Sequence, residues 1–245
     1  MNSIKIPLAF LVALFVTSGP LQSIEPTDIY LLIGQSNMAG RAEITKEQSL
    51  AVEGVYLLDK SDSWTPAQNP LNQYSTIRKK LKMQKLGPGY SFAQELRNKS
   101  PNTSIGLVVN AKGGSNIREW ARGTKFYNEA IRRAKEAKKS GTLRGILWHQ
   151  GESNAKEPTE YLELLKELIE NLRTDLEQPA LPFVAGQIFG NSQINQEIAR
   201  LPETVAKTSY VSSADLTTFD NVHFDNSSQI ELGKRYAIEM LKLLD

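Results

Sequence analysis

Five short apolar runs constrain the fold of this chain more than any other feature of its sequence. "IYLLIG" (29 to 34), "GVYLLD" (54 to 59), "IGLVVN" (105 to 110), "GILWHQ" (145 to 150) and "PFVAGQI" (182 to 188) lack the in-out alternation of a half-exposed sheet. Each therefore reads as a strand buried on both faces, as the strands of parallel sheets are. Helical candidates separate them. Residues 89 to 99, 124 to 139, 158 to 176, 191 to 206 and 226 to 244 carry apolar residues at threes and fours, as in Tyr161, Leu164, Leu165, Leu168 and Leu172. Pro158 and Thr159 suit the opening turn of the third. Strand and helix alternate without an internal repeat or a low-complexity linker. This predicts one α/β domain over residues 24–245, a three-layer α/β/α sandwich around a mostly parallel five-stranded sheet. The stretch from 60 to 88, rich in Ser, Pro, Asn and Gln, reads as a long surface loop.

The N-terminus follows a different logic. Lys5 precedes the apolar run "IPLAFLVALFV", and "TSGPLQS" supplies small residues beyond it, the three-part pattern of an export signal. Residues 1–23 are therefore expected to be a signal peptide cleaved near Ser23, with the mature protein secreted or periplasmic. An uncleaved N-terminal anchor is the alternative, although the run is short for a membrane span. The chain has no cysteine, which excludes disulfides, thiolate metal sites and a lipid anchor on cysteine. Its 29 basic and 27 acidic residues leave a net charge of +2, which gives no sign of a polyanionic partner. The basic run "RRAKEAKK" (132 to 139) is interspersed with alanine and glutamate and reads as a solvated helix face, not as a nucleic-acid patch.

In parallel α/β sheets ligands bind outside the carboxyl ends of the strands, where loops gather and helix N-termini point their free N–H groups. Four polar clusters fall at such places: "GQSN" after the first strand, "NAKGGSN" (110 to 116) after the third, "WHQGESN" (148 to 154) after the fourth, and "DNVHFD" (220 to 225) before the last helix. The chain's two histidines, His149 and His223, both lie in these clusters. A hydroxyl becomes a useful nucleophile when a base takes its proton, and imidazole suits that task near neutral pH. Asp220, three residues before His223, can reach that ring within one turn of backbone. His149, at the end of an apolar strand beside Trp148, reads as a histidine satisfied in the core. Each piece alone has a structural reading, Ser36 as a helix cap or Glu152 as the first acid of a helix. Their clustering at strand ends is harder to explain by structure.

In this order, "GQSNMAG", "KGGSNIREW", "WHQGES" and "DNVHF" resemble the motif blocks of the SGNH (GDSL-like) hydrolases, in particular the carbohydrate acetylesterases that include acetyl xylan esterase family six and the sialate O-acetylesterases. The resemblance runs from residue 28 to about 240. It implies a flavodoxin-like sheet and a serine esterase that removes O-acetyl groups from carbohydrates without metal or organic cofactor. Ser36 matches the nucleophile and His223 the base. Asp220 matches the third member, with Glu152 as its rival. The N–H groups of Ser36 and Gly114 and the amide of Gln150 match the oxyanion donors. Gln150 stands where the wider superfamily has asparagine, and Gln35 where it has aspartate.

Gln35 and Asn37 beside the serine, and Asn116 and Trp120 after the glycine turn, are candidate substrate-binding residues, the indole stacking on a sugar ring. The expected partner is thus an acetylated carbohydrate, xylan-derived or sialic. Two other readings use the same fold: a non-catalytic carbohydrate-binding relative, and a lipase or thioesterase. The former would not need a serine, a histidine and an acid together, and the latter would be expected to carry a broad apolar groove.

Overall fold

Along β1 (Asp28–Gly34), Ile29, Leu31 and Ile33 enter one apolar cluster while Tyr30 and Leu32 enter another. Successive side chains of a strand leave opposite faces, so a strand apolar at every position needs cover on both. The computed structural model, which describes residues 26–190 and 192–245, supplies that cover with helices on each side. The first cluster packs β1 against α3 (Lys125–Ala137), α4 (Tyr161–Asp175) and α5 (Gln193–Ala199). The second packs it against α2 (Gly89–Lys99) and α7 (Asn226–Leu244). In α4 the apolar stripe reaches the sheet through Tyr161, Leu165, Leu168 and Leu172, each nearly or fully buried. Each such leucine contributes roughly 1.5–3 kcal/mol through the apolar surface it removes from water. The signal-peptide expectation for residues 1–23 lies outside the described residues. No helix among the described residues is long and apolar enough to cross a membrane.

The sheet has seven strands instead of the five expected. They are β1, β2 (Val55–Leu58), β3 (Trp64–Pro66), β4 (Ile105–Ala111), β5 (Thr142–His149), β6 (Phe183–Gly186) and β7 (Thr208–Val211), in the spatial order β3-β2-β4-β1-β5-β6-β7. All pairings are parallel except β2 with β3, a hairpin at one edge. The two additional strands are the edge strands, three and four residues long, and neither carries an unbroken apolar run. A flavodoxin-like order would seat β1 between β2 and β4. Here β2 lies outside β4, and β1 lies between β4 and β5.

That order determines where the polar clusters meet. Gly34 pairs with Ala111 on one side and His149 on the other, and His149 pairs in turn with Gly186. The segments that leave β1, β4 and β5 therefore emerge side by side. The 60 to 88 stretch is not the surface loop expected. It contains β3, and it buries Leu71, Asn72, Ile77 and Leu86 against the rest of the fold. Asn72 acts as a substitute strand neighbour: its Oδ1 accepts the N–H of Ala111 at 3.0 Å and its Nδ2 donates to the Ala111 carbonyl at 3.1 Å. The helix expected over 191 to 206 divides into α5 and α6 (Leu201–Thr204), with Pro202 in the first turn of α6. Proline is tolerated there because first-turn N–H groups have no intrahelical acceptor.

Candidate active site

The chain turns sharply at the end of β1. Gly34 sits at φ +131°, and a Cβ there would stand 2.2 Å from the His149 carbonyl oxygen. Only glycine fits, because both the dihedral and the approach exclude a side chain. The N–H of Gln35 then donates to the His149 carbonyl at 2.8 Å, tying the turn to β5. Ser36 follows in the first turn of the four-residue helix α1 (Ser36–Ala39). N–H groups at such a position have no intrahelical acceptor.

Ser36 and His223, far apart in number, meet. Ser36 Oγ lies 3.0 Å from His223 Nε2, and His223 Nδ1 lies 2.6 Å from Asp220 Oδ2. The other oxygen of Asp220 accepts the N–H groups of Val222 (3.1 Å) and His223 (2.7 Å), which closes the loop on itself. With Nδ1–H directed at the carboxylate, Nε2 is the atom that accepts from the serine hydroxyl. Desolvation pushes the Asp220 carboxyl upward, but the ring N–H of His223 and the two backbone N–H groups outweigh it and hold it below the usual carboxylate range.

The sequence rival for the acid, Glu152, is directed elsewhere. Its Oε1 accepts from Asn37 Nδ2 at 2.6 Å and lies 3.9 Å from His149 Nε2. Desolvation pushes its carboxyl up to about 7, against the opposing effect of hydrogen bonds from the backbone and Asn37. His149 is fully buried, as expected, but only half satisfied: Nδ1 lies on the Tyr236 hydroxyl at 3.1 Å while Nε2 has no hydrogen-bond partner among the described residues; desolvation lowers its pKa to about 3.

Three of the four expected substrate-binding residues are interior. Asn37 is fully buried, and its amide is occupied by Glu152, the Val222 carbonyl (3.1 Å), the Phe224 N–H (3.1 Å) and Gln229. It thus holds the His223 loop by the residues on either side of the histidine. Gln35 accepts from Gln150 and the Ser153 N–H beneath the turn. Trp120 has no exposed surface, donates its indole N–H to Ser115 at 3.0 Å and meets Trp148 edge to face, so it offers no face to a sugar. Asn116 is half-buried and caps the short turn Ile117–Trp120 through a capping box with Glu119.

Gly114 is exposed at φ +75°, the third residue of a turn that the Ser115 N–H closes onto the Lys112 carbonyl at 3.2 Å. That position of a type II turn requires φ > 0 and leaves its own N–H unused by the turn. Gln150 does not present its amide to this opening. Its Nε2 donates to Gln35 Oε1, the Ser115 carbonyl and Asn154 Oδ1, at 3.1, 3.1 and 2.7 Å. Two cations that sequence reading passed over border the site. Lys79 Nζ stands 3.3 Å from where a Cβ on Gly114 would be. Arg41 packs closely over Gly113, and burial lowers its pKa. Neither signal was legible, since both residues lie outside the four clusters and reach the site through the fold.

Known proteins share this arrangement of chain and sheet. A probable carbohydrate esterase of Arabidopsis thaliana is 31% identical over 238 residues, covering 87% of this chain and 90% of its own. Its crystal structure superposes with a TM-score of 0.79 at 28% identity, over 89% of this chain and 98% of that one. A carbohydrate acetylesterase from Xanthomonas citri shares the fold at 19% identity, with a TM-score of 0.67 over 89% of this chain and 56% of its own. The structure of NanS does so at 16% identity, with a TM-score of 0.69 over 89% of this chain and 98% of that one. A family model covers residues 26–242, and by that match the chain belongs to the family described as carbohydrate esterase, sialic acid-specific acetylesterase.

Proposed function

We propose that this carbohydrate esterase removes O-acetyl groups from sugars through an acetyl-serine intermediate, with Ser36 as nucleophile, His223 as general base and Asp220 as the acid that orients it. The observation that carries the reading is the unbroken hydrogen-bonded chain from Ser36 Oγ to His223 to Asp220, at 3.0 and 2.6 Å. As Ser36 Oγ attacks the acetyl carbonyl, its proton passes to His223 Nε2 and the carbonyl oxygen gains negative charge. Two N–H groups left free by their local structure, those of Ser36 and Gly114, are the donors for that oxyanion. Each such donor lowers the barrier by about 3 kcal/mol. Gln150, engaged on the Ser115 carbonyl, holds the Gly114 turn in position from behind. The intermediate collapses by breaking the bond to the sugar oxygen, which takes the proton from Nε2. Water then attacks the acetyl-serine, giving its proton to the same nitrogen, and acetate leaves as Ser36 recovers its hydrogen.

The substrate is an acetylated carbohydrate, a xylan-derived oligosaccharide or an O-acetylated sialic acid, met outside the cytoplasm once residues 1–23 have directed export and residues 24–245 have folded as one esterase domain. Ser36→Ala is expected to abolish acetate release from acetylated xylan, O-acetylated sialosides and an aryl acetate alike, measured by an acetate-coupled assay. Release at the parental rate would refute the scheme.

A further inference from the structure

Phe219 is the one exposed aromatic side chain among the described residues, and it lies beside the proton-transfer histidine. It is 57% exposed, and Val222, on the same loop, is 40% exposed. The Phe219 ring lies nearly parallel to the imidazole of His223, with centroids 5.9 Å apart and planes at 21°. Its backbone is fixed: the Phe219 N–H donates to the His223 carbonyl at 3.1 Å, and Thr218 and Phe224 form a bridge across the loop. A rigid loop thus presents bare apolar surface on both sides of Asp220. Exposed apolar groups grouped at a reaction centre are the usual mark of a surface completed by a ligand.

We propose that Phe219, flanked by Val222, is the platform on which the sugar ring of the leaving group packs. The inference rests on the esterase reading and goes beyond it by assigning the ring-binding surface. The argument is one of reach. For His223 Nε2 to return its proton, the leaving sugar oxygen must come within hydrogen-bond distance of that atom. That oxygen is attached to the pyranose ring directly or through one carbon, so the ring must lie a few ångströms from the imidazole. The aromatic face beside the imidazole belongs to Phe219. The C–H groups on one face of a pyranose suit an aromatic surface, while its hydroxyls remain in water. Trp120, the aromatic expected for this role, is sealed in the core.

The test compares Phe219→Ala and Phe219→Tyr with the parent. The substrate is whichever of acetylated xylo-oligosaccharide and O-acetylated sialoside the parent hydrolyses, and titration of Ser36 with a serine-directed phosphonate verifies that the site is formed. Loss of the platform is expected to raise KM by roughly fivefold to tenfold with a smaller change in kcat, and tyrosine is expected to restore most of it. An unchanged KM in Phe219→Ala overturns the platform and leaves the esterase standing. A fall in kcat with a displaced pH profile and constant KM also overturns it, since Phe219 would then act by positioning the imidazole. A parent that labels at Ser36 but releases no acetate from any sugar ester overturns the esterase reading and the platform together.

Discussion

At the scale of single residues, the site depends on an asparagine whose side chain makes no hydrogen bond to Ser36, His223 or Asp220. Asn37 joins two regions that the sequence keeps far from it and from each other: Glu152 after β5, and the stretch from His223 into α7, through the Val222 carbonyl, the Phe224 N–H and Gln229. Removing its amide strands a largely buried carboxyl oxygen and a backbone N–H, and leaving such groups unsatisfied costs about 1–3 kcal/mol each. Asn37→Ala is therefore expected to destabilise the protein by roughly 2–4 kcal/mol. It is also expected to lower kcat by about tenfold or more, since misplacing reacting groups by an ångström can cost that much or more. KM should change little, because Asn37 has no surface open to substrate. Steady-state kinetics with urea denaturation of the same variant provides the check. A rise in KM alone would place Asn37 in contact with substrate and remove its positioning role.

At the scale of elements, the last helix anchors the catalytic loop. Asp225, two residues after His223, is the N-cap of α7, with Oδ1 accepting the Ser228 N–H at 2.9 Å and the Ser227 hydroxyl at 2.9 Å. Its second oxygen takes the Thr217 hydroxyl, across the base of the loop. Replacing an N-cap aspartate by alanine costs about 1 kcal/mol. In a protein of this size that lowers Tm by about 2–4 °C. Asp225→Ala should show that shift by calorimetry, and an unaltered Tm would mean that the helix start is held by its packing alone.

This scale also separates what the sequence could show from what it could not. The strands β1, β4 and β5 were legible because burial on both faces requires an unbroken apolar run, and α2 was legible within its observed bounds because its apolar stripe repeats with the helical period. β3 and β7 were not legible, because a short edge strand such as "WTP" or "TSYV" is specified by its neighbour and not by its own residues. The spacing of Asp220 to His223 was legible because it is local. The engagement of Asn37, Gln150 and Trp120 was hidden, because each meets a partner whose position only the folded sheet decides. A glutamine with a free amide and one with a saturated amide look the same in a sequence.

At the scale of the whole molecule, two groups behind the site, the buried His149 and the largely buried Glu152, make stability depend on pH in opposite senses. Glu152 is raised to about 7 and His149 is lowered to about 3, desolvation being the leading cause for each. Between the ordinary carboxylate range, about 4.5, and 7, the native state holds a proton on Glu152 that the unfolded chain has lost. Stability from this group is full below that window and declines as pH rises through it, by on the order of 3 kcal/mol. His149 acts in reverse. Between 3 and its ordinary 6.5 the unfolded chain takes up a proton that the native state refuses, so stability falls as pH falls through that window. The two slopes oppose each other between about 4.5 and 6.5, which leaves the decline above 6.5 to Glu152. Glu152→Gln keeps an oxygen for the Asn37 amide and removes the titration. Its stability relative to the parent is expected to improve from pH 5 to about pH 7 and to level off by pH 8, by up to about 3 kcal/mol in urea denaturation. Parallel pH profiles for the two proteins would mean that the Glu152 carboxyl ionises in the native state much as it does in water, and the largely buried, proton-bearing acid behind Ser36 would have to be abandoned.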